Sequence, residues 1–389
     1  MKFLHNITAV MRRELRLMRQ RPVYLLASVG VMTFCLIFFL TLLRDRIPQD
    51  LPVGVVDLDE SSLSRNFIRQ LDATRIGETV GFSSYTEARK ALQTGKISSF
   101  CVIPEGFYSD VLANRQPELT MYVNTLYFVG GALSYKELLT LANLSSGAVQ
   151  REVFRAKGMD DNAIMAQIQP IVIDAHNIGN PAADYRAFLC NALIPGVLET
   201  IIILVTVYAI GSELKHGTSR HLLEKAGGSM TAAMLGKLIP YTVLFTMIGI
   251  ICDLILYDRM GFPMAGSIWN MFLGTFLLVL ASEAVAFFIV GTLPVLRLSI
   301  SISALYSMLA FSLAGFSLPV EAMPPYIQGL SAAFPLRHFY LMYVQEGIFG
   351  SGFEGWYTQV IALMCFLGLP PLVYRRLQRA YIDLNFPRK

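Results

Sequence analysis

The sequence predicts an α-helical polytopic membrane protein with six transmembrane helices and an inserted α/β extracytoplasmic domain. Three observations lead there. The 389 residues are 54% hydrophobic and only 15% charged, with a mean hydropathy of +0.51, a balance that would aggregate in water. Six apolar runs approach the roughly 20 residues that cross a bilayer. One long polar interval separates the first run from the other five. The net charge of +4 gives no nucleic-acid signal, because in membrane proteins the placement of Lys and Arg informs more than their sum.

Residues 1–21 come first, and Ile7 to Arg19 sets apolar positions against a basic face of Arg12, Arg13, Arg16 and Arg19, with Glu14 among them. Such a helix lies in the interface, held by anionic lipid headgroups; the same bases also serve as a plain topology signal. Residues 22–43 form the first span. The run exceeds a signal-peptide core and is followed by Arg44, Asp45 and Arg46 without a small-residue cleavage pattern.

Residues 44–186 are long enough to fold as a domain. Strands are expected at Val53 to Val56, in SSFCVIP ending at Pro104, and at Leu119 to Asn124. Helices are expected at Ser61 to Leu71, Tyr85 to Gln93, Phe107 to Asn114, Leu133 to Phe154 and Asp160 to Gln167. Asp57, Asp59, Glu60 and Asp110 read as helix caps in preference to metal ligands. Cys35, Cys190, Cys252 and Cys365 lie in apolar runs, leaving Cys101 alone in the polar region, so no disulfide framework is expected.

The remaining spans fall in residues 187–375, at Ala187 to Ile210, Met234 to Tyr257, Ile268 to Leu293, Leu298 to Leu318 and Trp356 to Tyr374. Bases precede the first span, fill the loop at residues 211–237 (Lys215, Arg220, Lys225, Lys237), and mark the tail at residues 376–389 with Arg376, Arg379, Arg388 and Lys389. The positive-inside rule puts all three in the cytosol, together with both termini.

Within that loop, Thr218 is placed to cap a short helix, Ser219 to Ala226, with Leu222 and Leu223 as an apolar edge. Gly227 and Gly228 stop it, and Ser229 restarts a helix into the membrane. Two readings stand: a lever that docks on a soluble partner, or a hairpin joining two spans. The segment at residues 319–355 is broken by Pro324, Pro325, Gly329 and Pro335, so neither piece crosses; both re-entrant helices and an amphipathic outer loop fit it.

No GxxxxGK[ST] phosphate loop, HExxH, GxSxG or zinc-spaced cysteine pair occurs. His216 and His221 are read as loop polarity. Glu199, Glu283 and Asp253 lie inside spans, the first two near mid-span and Asp253 toward the outer, wetter end. Each must face a cargo route or a hydrogen-bonding neighbour.

In this order the segments resemble the permease subunit of an ABC-2-type exporter, in the subfamily with a large extracytoplasmic domain after the first helix. The resemblance covers essentially the whole chain. It rests on MRRELRLMRQRP, LPVGVVDLDESSLSRNFIRQLD, IPEGFYSDV, SELKHGT with LLEKAGGSMTAAMLGKLIPY, and SLPVEAMPPYIQGLSAAFPLRHFY, which carries Met323, Pro324 and Pro335. Lys215-His216 and Ala226-Gly227-Gly228 depart from the family, which often has more charge near the Gly-Thr pair and a Thr-Pro after the Leu pair.

The resemblance implies a transporter subunit that is not itself an enzyme and holds no cofactor, with ATP and Mg on a separate ABC ATP-binding subunit. That partner would meet the N-terminal helix and the loop through Glu213, Gly217, Thr218, Leu222, Leu223 and Lys225. It further implies a second permease, identical or paralogous, in the inner membrane, a periplasmic adaptor leading to an outer-membrane channel, and an amphipathic cargo such as a drug, lipid or lipid-linked molecule. The alternative is a membrane-anchored receptor or scaffold working through its outer domain.

Overall fold

The computed structural model describes residues 2–44, 50–74, 77–113, 115–125, 128–174, 176–182 and 184–383. Asp45, Arg46, Asn114, Arg388 and Lys389 lie outside them. Two compact units result: one of residues 1–46 with 176–389, and one of residues 47–175.

Among the described residues, the first unit holds six helices long and apolar enough to cross a membrane. A preceding helix, α1 (Lys2–Gln20), leads into the first span, α2 (Pro22–Leu42). The others are α8 (Tyr185–Lys215), α10 (Met230–Arg259), α11 (Ile268–Thr292), α12 (Leu296–Leu313) and α15 (Phe353–Asp383). Helices α8 and α11 are central: 67% and 78% of their apolar windows are buried, against 17% for α2 and α15. Helix α8 packs on α11 and α12, α11 packs on α10 and α15, and α1 lies along α10.

That last packing depends on a glycine. A Cβ at Gly236 of α10 would sit 2.7 Å from the Ile7 carbonyl oxygen and 2.7 Å from the Val10 Cβ of α1. The space is filled by helix backbone and cannot yield. Ile7, Val10, Glu14 and Met18 form the buried stripe of α1, at helical spacing.

Several helices outrun their apolar stretches. Helix α8 runs on from Ile210 to Lys215, and α15 from Tyr374 to Asp383, burying Leu377 and Tyr381 on one amphipathic face. Hydropathy detects lipid-facing length, whereas these ends are held by other parts of the protein.

The second unit is α/β. A four-stranded sheet has the order β2-β1-β3-β4, where β1 is Leu51–Asp57, β2 Gly77–Gly81, β3 Ser99–Ile103 and β4 Thr120–Val123. Strand β1 pairs parallel with β2 and β3 (Val55 opposite Cys101), and β3 pairs antiparallel with β4 (Phe100 opposite Tyr122). Side-chain alternation sends Val53, Val55, Cys101 and Ile103 to one face. There they meet α3 (Ser62–Asp72) and the long α6 (Phe128–Ala156). Val56 and Phe100 meet α4 (Tyr85–Gln93) on the other face.

Helices α5 (Phe107–Leu112) and α7 (Asp161–Ile168) complete the unit. Helix α5 is shorter than its sequence signal. Strand β2 went unanticipated because GETVG carries little apolar pattern, and only Gly77 in it is buried.

Of the carboxylates read as caps, Asp57 and Asp59 accept backbone N–H groups, whereas Asp110 makes an ion pair. Asp57 Oδ1 accepts the N–H groups of Asp59 and Glu60 at 3.1 and 3.0 Å, Asp59 Oδ2 accepts that of Tyr108 at 3.1 Å, and Asp110 pairs with Arg115 at 2.8 Å. Ser61 Oγ caps α3 by accepting the Ser64 N–H.

A Cβ at Gly54 would meet Ile97 and Phe100 at 2.8 Å, so Gly54→Leu should open the inserted domain. Burial pushes the neighbouring Cys101 thiol up to about 12, which keeps it inert when folded. Maleimide labelling mapped by mass spectrometry should find Cys101 unmodified in the native protein and modified in Gly54→Leu.

Candidate functional site

The loop between α8 and α10 is built from turn chemistry. Gly217 (φ +68°) ends α8, and Gly227 and Gly228 (φ +65° and +79°) end the short helix α9 (Ser219–Lys225). Positive φ strains any residue with a Cβ. Ser229 Oγ then accepts the Ala232 N–H at 3.3 Å and starts α10. Thr218 does not cap α9 as its position suggested: its hydroxyl donates to Glu213 Oε2.

Helix α9 has two faces. Ser219 and Leu222 are fully buried, and Leu223 packs at the edge of the same core. Arg220, His221, Glu224 and Lys225 are exposed. Leu222 therefore holds the helix to its own chain and is not an edge offered to a partner. An aspartate there probes folding, not docking.

Under the loop lies a buried charge cluster. Lys237 Nζ, from α10, donates to both oxygens of Glu14 and to Glu213 Oε1, each at 2.9 Å. Arg13 forms a bidentate pair with Glu213, at 2.7 and 3.0 Å. Tyr241 Oη donates to Glu14 Oε1 at 2.9 Å. The side chains of Lys237, Glu14 and Glu213 are 1%, 0% and 3% exposed, so water does not share the compensation.

Two cations thus face two anions, drawn from α1, α8 and α10. Burial alone would lower the Arg13 pKa, but the Glu213 hydrogen bond and the charges of Glu213 and Glu14 outweigh it and raise it. The sequence had placed Lys237 with the cytosol-facing bases and Glu14 with an interfacial helix. Their signal was available: a lone acid among arginines, and a lone lysine inside MLGKLIPY.

Both ends of the described chain reach the loop. Asn6 Nδ2 donates to the Ala226 carbonyl at 3.2 Å. Ser219 Oγ donates to the Tyr381 carbonyl at 2.9 Å, Arg220 donates to that of Ile382, and Tyr381 Oη donates to that of Ile210 at 2.8 Å. Lys225, Arg12, Arg16 and Arg19 remain on the exposed side.

A family model described as ABC-2 family transporter protein matches residues 23–372. The chain belongs to the ABC-2 transporter family. This ABC-2 permease is 26% identical over 325 residues to the inner membrane transport permease YhhJ of Escherichia coli K12, covering 82% of each chain. It is 22% identical over 298 residues to the probable multidrug ABC transporter permease YbhS of the same organism, covering 74% of each. YbhR, another probable multidrug ABC transporter permease of that organism, is 24% identical over 190 residues. The protein is accordingly a multi-pass inner-membrane permease of an ABC transporter.

The three acids that the sequence places inside apolar runs, Asp253, Glu283 and Glu199, are all buried. Asp253 is 7% exposed and accepts from Thr275 Oγ1 at 2.8 Å, so it is enclosed, contrary to the wet end expected for it. Glu283 Oε2 accepts from Thr242 at 2.6 Å, while its Oε1 lacks a partner among the described residues. Neither oxygen of Glu199 makes a hydrogen bond within normal limits among those residues, although the Leu336 backbone lies beside it.

The segment between the fifth and sixth spans forms α13 (Pro325–Ser331) and α14 (Pro335–Tyr343), each opened by a proline at a position where no N–H is needed. Met323 is buried, and its carbonyl accepts from Gln328 at 2.8 Å; Pro324 precedes α13, and Pro335 is buried. The sequence did not single out Glu346, which is 2% exposed. Its carboxylate accepts from Ser267 N–H at 2.9 Å, Asn270 at 2.6 Å and Trp356 at 2.8 Å, tying the segment to the starts of α11 and α15. Among the described residues, no group of His, Cys, Asp and Glu is placed to hold a metal ion.

Lys237→Met strands two buried carboxylates opposite Arg13 alone and should cost about 3–5 kcal/mol. Adding Glu14→Gln leaves only the Arg13–Glu213 pair and should recover most of that loss. Thermal unfolding of the detergent-purified protein, measured for both variants, checks the difference.

Proposed function

We propose that the chain is the membrane half of an ATP-driven exporter, moving an amphipathic drug, lipid or lipid-linked molecule with energy from a separate ABC ATP-binding subunit. ATP and Mg would reside on that subunit, and two permease chains, identical or paralogous, would form the pathway. The reading places both termini and the α9 loop in the cytosol. A periplasmic adaptor and outer-membrane channel complete it on the far side.

One observation supports the coupling step above others. Helix α9 presents His221, Glu224 and Lys225 outward while its inward face is fastened to α1 and α15. A push on that charged face reaches the buried ends of α8 and α10 through the shared charge cluster. Coupling of this kind needs a rigid linkage between docking surface and spans. The exposed bases of α1, Arg12, Arg16 and Arg19, extend the surface.

Glu224→Arg with Lys225→Glu inverts two exposed charges and spares the core. It should leave the amount of permease in the membrane unchanged and reduce co-purified ATPase by about tenfold, the equivalent of roughly 1.4 kcal/mol. An ATPase retained at full yield overturns the docking role of α9.

The acids within the spans bear on cargo. Glu199→Gln and Glu283→Gln remove an ionisable carboxyl that makes no ion pair among the described residues. Each should shift efflux away from cationic compounds without lowering expression; loss of folded protein would assign the acids to structure instead.

A further inference from the structure

The inserted domain contains an open cavity of about 630 Å³, walled by α3, α5, the approach to β4 and the long α6. That volume falls within the roughly 300–1,000 Å³ of small-molecule sites. Its lining is mainly apolar: Phe107, Val111, Leu119, Val149, Val153 and Phe154 all face it and are half-buried. Apolar surface left in water at about 25 cal/mol per Å² favours an occupant that covers it.

The charge at this cavity is one-sided. Arg115 and Lys157 belong to the lining, and no carboxylate does. Asp110 takes one Nη of Arg115 at 2.8 Å, but both side chains stand in water, and the guanidinium keeps further donors. Lys157 Nζ lies 5.8 Å from the Phe154 ring centroid, which carries a cation onto the apolar wall. Asn66, Gln70 and Ser145 add uncharged hydrogen-bonding groups.

We infer that the inserted domain binds an amphipathic organic anion, with the apolar body in this cavity and the acidic head at Arg115 and Lys157. A cation would face two like charges and no carboxylate in the lining, and a neutral apolar molecule would leave both bases unused. The assignment stands apart from the permease reading, because binding here requires neither nucleotide nor a partner subunit.

The test uses the full chain in lipid nanodiscs and a dodecanoate carrying a terminal diazirine. After irradiation, peptide mapping should place label on residues 62–72 and 128–156. Excess dodecanoate should displace it about fivefold better than dodecyltrimethylammonium does, the scale expected of exposed charge pairs.

Arg115→Gln with Lys157→Gln should abolish that preference while label persists. Val149→Trp, which fills the cavity from a half-buried position, should remove the label. Labelling confined to the membrane spans, equal displacement by anion and cation, or label retained in full in Val149→Trp overturns the proposal. The first of those outcomes also leaves the cavity to a protein partner or a second copy.

Discussion

Everything near the α9 loop depends on the compensation of one charge. A lysine ammonium with 1% exposure is tolerable only when carboxylates surround it, and Lys237 obtains them from α1 and from the end of α8. No single helix can satisfy this need. The N-terminal helix must therefore lie along α10, and Gly236, one residue before the lysine, supplies the room for its backbone. Arg13 then balances the second carboxylate, and Thr218 adds a hydroxyl to the same group. Position, charge and close packing are three sides of one requirement.

Legibility in the sequence followed the type of interaction. Hydropathy revealed all six spans, and the parallel strands β1 and β3, buried on both faces, showed as apolar runs. Turn residues placed the ends of α9, because Gly227 and Gly228 require positive φ. Strand β2 stayed hidden since an edge strand with little burial needs no apolar code. Charge pairing was hidden for another reason. Glu14 and Glu213 are about 200 residues apart, and only packing brings both within 2.9 Å of Lys237. The rule that counts exposed bases could not know that this one is enclosed.

The polar groups of the spans divide into two kinds. Asp253, like Glu346 in the segment between the fifth and sixth spans, is held by neighbours and fixes helices in place. Glu199 lacks such neighbours among the described residues, and burial without a partner is expensive in hydrocarbon. Helices α12 and α8 also carry Ser303, Ser307 and Thr206, whose buried hydroxyls lack partners among those residues. Helices α8 and α12, which pack together, thus both keep buried polar groups that the described residues leave without partners.

The fastening of α9 at both edges has a bearing on how such a loop is inherited. Its Ala226 carbonyl answers Asn6, its Ser219 answers Tyr381, and its root answers Arg13. A chimera that grafts this loop from a relative onto an unchanged body would carry half of each bond. The transferable module is then discontinuous: the opening helix, the loop and the close of the last span, travelling together although more than three hundred residues of other sequence separate them.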